Sequence, residues 1–336
     1  MDVIWKTWSN EIIGKDKIWY VVTPRVDHKG RTYYTYKILG YGTRPDSSYR
    51  IEIHRMMEAD YRGKRVIAVL EGIGRNAFRN RYLRYVKIKG ANNVSETIPV
   101  SIDESAFSAN RMESFEARLD ETETVFSEIG KNAFENCETL SSIDITGAGG
   151  AKVGEGAFRN TNLANMSGSK CNFRGNWKTV EKEAFFRSNL RHFELNSIEG
   201  MKNIGESAFS RSRLGEGSPS AETKSVDIPA SVESIGKNAF SHSGIKKLKF
   251  QGNSVRSIGY NAFGYNRMTE LTLPHGISSI GKYAFFDNAL TTANIANTAV
   301  TAVEESTFQN NRLTDVKLPS KLNRSEERRV GKECRS

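Results

Sequence analysis

The side chains best suited to chemistry are few and scattered along this chain. His28, His54, His192, His242 and His275 are far apart, and each reads as a surface or turn residue. Cys137 and Cys171 lie within no C-x-x-C and have no histidine at ligand spacing, which argues against a zinc site. They read as small buried hydrophobes, with a disulfide as the alternative. The closely spaced carboxylates Glu121 with Glu123, and Glu304 with Glu305, read as solvated faces rather than acid–base pairs. No G-x-S-x-G elbow, H-E-x-x-H, P-loop or dinucleotide fingerprint occurs, and Gly72-Ile73-Gly74 belongs to a recurring phrase with no phosphate logic. The expectation is a chain with no catalytic site, no cofactor and no metal.

Composition narrows the class further. The 336 residues carry 49 basic and 39 acidic side chains, a net charge of +10. The excess is spread along the chain, whereas a nucleic-acid binder would concentrate it in a stripe with interleaved aromatics. No apolar run is long enough for a membrane span, and Met1 to Lys17 has no signal-peptide core. Asn93-Val94-Ser95 and Asn165-Met166-Ser167 match the glycosylation pattern, a match too short to carry weight.

What organises the sequence is a phrase repeated ten times: a β-branched residue, usually Gly, two variable residues, a small residue and Phe. The copies close at Phe78, Phe107, Phe134, Phe158, Phe185, Phe209, Phe240, Phe263, Phe285 and Phe308. Leu, Met or Ile follows each Phe by five residues (six after Phe134), with further apolar residues usually three and five positions later. Leu190, Phe193 and Leu195 are one such set; Met268, Leu271 and Leu273 are another. The last two of each set alternate with polar residues, the period of a strand with one buried face. A second short apolar pair, such as Val255 and Ile258, leads back into the phrase.

Self-similarity at this period predicts one coil of chain per repeat, stacked into a solenoid whose phenylalanines form a spine. Strands should pair in parallel between neighbouring coils. The glycine is expected to need a positive φ, and the residues up to Ala-Phe to form a single helical turn.

These residues closely resemble the BspA-like (treponemal-type) leucine-rich repeats, whose units read roughly L-x-x-L-x-L-P followed by V-x-x-I-G-x-x-A-F. The stretch from Met268 through Pro274, Ile277, Ile280 and Gly281 to Phe285 follows that consensus almost throughout. Asp103, Glu181 and Glu304 replace the glycine in three copies, and Thr307 replaces Ala in the last. The resemblance implies an α/β leucine-rich-repeat solenoid over residues 66–322, ten repeats and the start of an eleventh. It would carry a parallel β-sheet on one face, with short helical turns and short strands elsewhere in each coil.

Residues 1–65 lack the phrase. Trp19 to Val22, Tyr33 to Ile38 and Tyr49 to Ile53 read as short aromatic strands. They fit an N-terminal β cap covering the open edge of the first coil, or a separate small domain. Residues 323–336 form a non-native tail: the string from Arg324 to Ser336 resembles a translated sequencing adapter and is excluded from fold reasoning. Without its five basic and three acidic residues the counts are 44 and 36, a net of +8. The natural protein is therefore expected to continue beyond this sequence.

Strand alternation also selects an outward face. Along the stack it presents Tyr85 and Lys87, then Glu116, Asp144, Asn165, His192 and Glu194. It continues with Asp227, Lys247, Lys249, Glu270, Thr272, Thr292 and Asn294. At about 4.8 Å per strand, ten strands span roughly 45 Å, enough for a standard protein interface. The expected function is non-enzymatic binding of a protein or glycan ligand, with no nucleic acid. By the resemblance alone the location is the cell surface or outside the cell, and the activity adhesion. The alternative is an intracellular scaffold or regulatory protein using the same face.

Overall fold

The computed structural model describes residues 3–7, 17–41, 50–89, 98–119, 122–123, 125–163, 171–191, 193–195, 198, 200–216, 225–322 and 324–325. The chain forms two compact units, residues 1–175 and 176–336.

The first unit begins with antiparallel strands, as its β-branched and aromatic runs favour. Val3–Thr7 pairs with Lys17–Val26, which pairs with Thr32–Tyr41, and Met56–Tyr61 folds back onto Lys64–Ile73. Beyond them pairing is parallel along two ladders. One joins Arg50–His54, Tyr85–Lys89, Ser114–Glu116 and the start of Ser142–Val153. The other joins Thr32–Tyr41, Lys64–Ile73, Val100–Ile102, Val125–Ile129 and the end of Ser142–Val153.

The second unit repeats the plan in shorter pieces. Asn203–Ile204, Ser234–Ile235, Ser257–Ile258 and Ser279–Ile280 stack in parallel, with each isoleucine buried opposite the next. On the other ladder Ser225–Ile228 pairs with Lys247–Phe250, and Glu270–Thr272 with Thr292–Asn294 and Asp315–Lys317. Arg324–Ser325 pairs with Ala302–Val303, so two residues of the tail join a ladder. Residues 326–336 lie outside the described residues.

All ten phrase-closing phenylalanines are buried. In the first unit Phe78, Phe107, Phe134 and Phe158 stack at 5.1–5.3 Å with ring planes within 10°. In the second, Phe185 through Phe308 stack at 5.2–5.6 Å within 7°. Tyr41 lies beside Phe78 at 5.7 Å and continues the row into the N-terminal strands.

Two expectations about the phrase are corrected. The helical turn does not form; the phrase is a chain of tight turns with amides that alternate in direction. The Ala77 and Arg79 amides donate to the Gly74 and Asn76 carbonyls, while those of Asn76, Phe78 and Asn80 donate across to Glu104, Ala106 and Ser108 of the next coil. Half of the amides are thus spent between coils, which a helix would not allow. Nor do the phrase glycines have positive φ. In every copy the left-handed residue is the one before the small residue, from Asn76 (φ 57°) to Ser306 (φ 56°). The glycine is needed for close approach: a Cβ on Gly259 would sit 2.7 Å from the Gly236 carbonyl carbon.

A third element of the phrase is a polar row three residues after each Phe. Asn266 Oδ1 accepts from the Ser243 and Ile245 amides, and its Nδ2 donates to the Phe240 and Phe263 carbonyls. Asn110, Asn288 and Asn311 bridge coils in the same way. In three other coils the position is Thr161, Ser188 or Ser243, whose hydroxyls cap phenylalanine carbonyls. Arg81 and Ser212 occupy it after Phe78 and Phe209, and the Ser212 hydroxyl donates to Ser243 Oγ. At Cys137 the thiol donates to the Phe107 carbonyl at 3.3 Å. Cys137 is a free, buried cysteine.

Candidate ligand-binding face

In the first unit the outward residues fall into two cross-strand rows. Tyr85, Ser114 and Ser142 are paired in register, as are Lys87, Glu116 and Asp144. Their inward neighbours Val86, Ile88, Phe115 and Ile143 are buried, which fixes the register, since a slip of one residue would turn the polar row into the core. Asp144 is half-buried, accepting from Arg174 Nη2 at 2.6 Å and from Asn172 Nδ2 at 3.3 Å. Glu116 is exposed and accepts from the Ser114 hydroxyl.

Tyr85 stands in the most elaborate surroundings on this face. The Arg50 and Arg84 guanidinium carbons lie 5.2 and 5.5 Å from its ring centre, within cation–π range. Its hydroxyl donates to Glu113, and this bond together with the Arg84 guanidinium holds the Glu113 carboxyl below the usual carboxylate range. Arg50, Arg84 and Glu113 are off the predicted set, because their pairing depends on which strands become neighbours.

In the second unit the predicted residues divide into three groups. Glu194 and Asp227 line a cavity of about 190 Å³, with Phe193, Leu195 and Leu214 behind them. Glu194 is exposed but on no strand: the Phe193 amide closes a turn onto Leu190 O, so among the described residues of this coil no strand forms where the apolar spacing predicts one. Glu270, Thr292 and Asp315 form one cross-strand row, and Thr272, Asn294 and Lys317 the next.

The third group marks a break. Lys247–Phe250 and Glu270–Thr272 belong to separate sheets, so the ladder predicted to continue between these neighbouring coils is interrupted. Leu248 and Phe250 are only half-buried there, whereas Ile228 and Leu273, at the equivalent position to Phe250 in the coils on either side, are fully buried. A cleft of about 670 Å³ follows the break, lined by Lys247, Lys249, Glu270, Thr272 and His275 over Leu248, Phe250 and Leu273. Asn165 and His192 lie outside the described residues. Among the described residues no group of three or more His, Cys, Asp or Glu could hold a metal ion. No helix among them is long and apolar enough to cross a membrane.

The family described as BspA type leucine rich repeat region matches residues 71–215 and 219–329, in six copies. The chain belongs to this family. The match begins at the strand that enters the first phrase and takes in all ten phenylalanines. Among solved structures the chain is similar to a leucine-rich repeat protein from Bacteroides ovatus, with 18% identity, 90% of this chain and 76% of that one covered, and a TM-score of 0.51. That likeness is one of fold. Two others are a leucine rich cell surface protein from Faecalibacterium prausnitzii (18% identity, 98% and 100% covered, TM-score 0.35) and the pneumococcal vaccine antigen PcpA (11%, 96% and 87%, 0.36). Their scores are below the level that shows a shared fold. No curated protein matches the chain by sequence.

Proposed function

We propose that this BspA-type protein is a non-enzymatic binding solenoid that recognises a protein or glycan through the outward face of its repeat strands. The supporting observation is the register in the first unit, where Tyr85, Lys87 and Glu116 are held outward on strands whose alternate residues are locked in the core. A rigid sheet presenting polar and aromatic side chains binds without having to order a loop, which lowers the entropic cost of association. A cell-surface or secreted location has the family resemblance alone as its support. On the same reading residues 1–65 are a cap: Tyr41 beside Phe78 and the Gly74 amide donating to Ile38 O engage the first phrase as another coil would.

The test is adhesion of the purified protein to immobilised extracellular-matrix proteins and to a glycan array. Lys87→Glu combined with Tyr85→Ala should abolish the signal, while Arg79→Glu on the turn face should leave it intact. Equal retention by both variants would refute the assignment to the strand face.

A further inference from the structure

Several lysines that the second unit sets beside a neighbouring coil are answered by a carboxylate. Lys182, Lys202, Lys237 and Lys282 all lie within 4.0 Å of one. Lys246, Lys247 and Lys249 do not; all three are exposed and without an ion pair. Asp227 stands opposite Lys249 across the ladder, but its Oδ2 accepts from Gln251 Nε2 at 2.6 Å. Three ammonium groups within four residues repel one another and raise a positive potential over the cleft, which Glu270 in its lining and Asp227 across the ladder offset only in part.

The same cleft follows the ladder break. The edge of Lys247–Phe250 turned away from Ser225–Ile228 and the edge of Glu270–Thr272 turned away from Thr292–Asn294 share no ladder. Such edges are templates for another strand. Side chains along an added strand would alternate, one set facing the lysines and the other facing half-buried Leu248 and Phe250.

We propose that this seam binds an extended acidic segment of a partner protein, its backbone pairing with a strand edge and its carboxylates meeting Lys246, Lys247 and Lys249. The inference rests on the binding reading above and gives it a site and a partner class. A sulfated glycan would satisfy the lysines but offers no row of amides to the strand edge, so the observations favour peptide.

The probe is a fluorescein-labelled octapeptide of alternating Glu and Val, followed by fluorescence anisotropy with the full chain. It should bind, and Lys247→Ser with Lys249→Ser should weaken it roughly tenfold, the sum of two exposed charge pairs. Lys282→Ser should change nothing. Both seam lysines are exposed, so an unchanged thermal midpoint checks that the variant is folded. The same peptide with every backbone amide methylated keeps its charge and should also bind about tenfold more weakly. No binding, equal binding of the methylated peptide, or indifference to the lysine pair would overturn the proposal. Displacement by a heparin oligosaccharide with equal binding of the methylated peptide would mark the seam as a polyanion site instead. If the seam fails while the Tyr85 and Lys87 substitutions still abolish adhesion, only this inference falls.

Discussion

Asn266 Nδ2 donates to Phe240 O and to Phe263 O, each at 2.9 Å, so one amide ties the backbones of two successive coils. Replacing Asn266 by Ala strips hydrogen bonds from five buried backbone groups at once, the Ser243 and Ile245 amides and the Phe240, Phe263 and Gly264 carbonyls. Asn266→Ala should cost about 2–4 kcal/mol, since each buried group left unsatisfied carries about 1–3 and relaxation recovers part. Ser188→Ala, which removes one hydroxyl from the Phe185 carbonyl, should cost only about 1 kcal/mol. Urea unfolding of the two variants gives the comparison, and equal losses would contradict the bridging role.

The spine should be felt through its rings. Phe240→Ala and Phe263→Ala each remove a fully buried ring stacked on both sides, and should cost about 3–5 kcal/mol. Hydrogen exchange should show the loss concentrated in the adjacent coils, because a solenoid coil touches only its neighbours. A uniform loss of protection would be the contrary result.

Ser306 has a φ of 56°. A β-branched side chain is a steric outlier there, so Ser306→Val should cost about 1–2 kcal/mol, and Ser306→Gly should stay within about 1 kcal/mol of the parent. Thermal unfolding distinguishes them. A tolerated valine would mean that the turn takes another conformation.

Burial pushes the Cys137 thiol up from 9.0 to about 12. A raised folded value favours the neutral form, so this contribution is intact below pH 9 and fades as pH rises towards 12. Cys137→Ala should therefore reduce the loss of stability over that window, as seen by alkaline unfolding of the two proteins. In a background with Cys171→Ser and Cys334→Ser, native Cys137 should resist a thiol reagent at pH 8 until the chain unfolds. Rapid labelling of the folded protein would contradict its burial.

The large features of this fold are legible because they recur in residue type and spacing: the phenylalanine spine, and strands such as Glu270–Thr272 with Leu271 buried between exposed neighbours. The row that includes Asn110, Cys137, Thr161 and Asn266 escapes such reading. Residues as different as Asn, Cys and Thr serve one position there, and their common role, reaching a phenylalanine carbonyl, is visible only in three dimensions. The phrase glycine misleads because the residue has two uses, φ and close approach, and Gly259 has the second. The seam is hidden for another reason: Leu248 and Phe250 satisfy the apolar pattern of every other strand, and pattern does not say whether neighbouring edges will pair. The outward residues around Tyr85 are legible by alternation, but the partners Arg50 and Glu113 come from other coils.

The seam has a mechanical consequence as well. Where Lys247–Phe250 and Glu270–Thr272 fail to pair, their two coils are still fastened by the Phe240–Phe263 stack, the Ser257–Ile258 ladder and the Asn266 amide. One side of the stack is riveted by all three, and the other by the Arg267 amide on the Ile245 carbonyl just before the seam. Bending stiffness is therefore lopsided at this coil junction, and under tension the seam should gape from its strand side, like a book opened from its fore-edge.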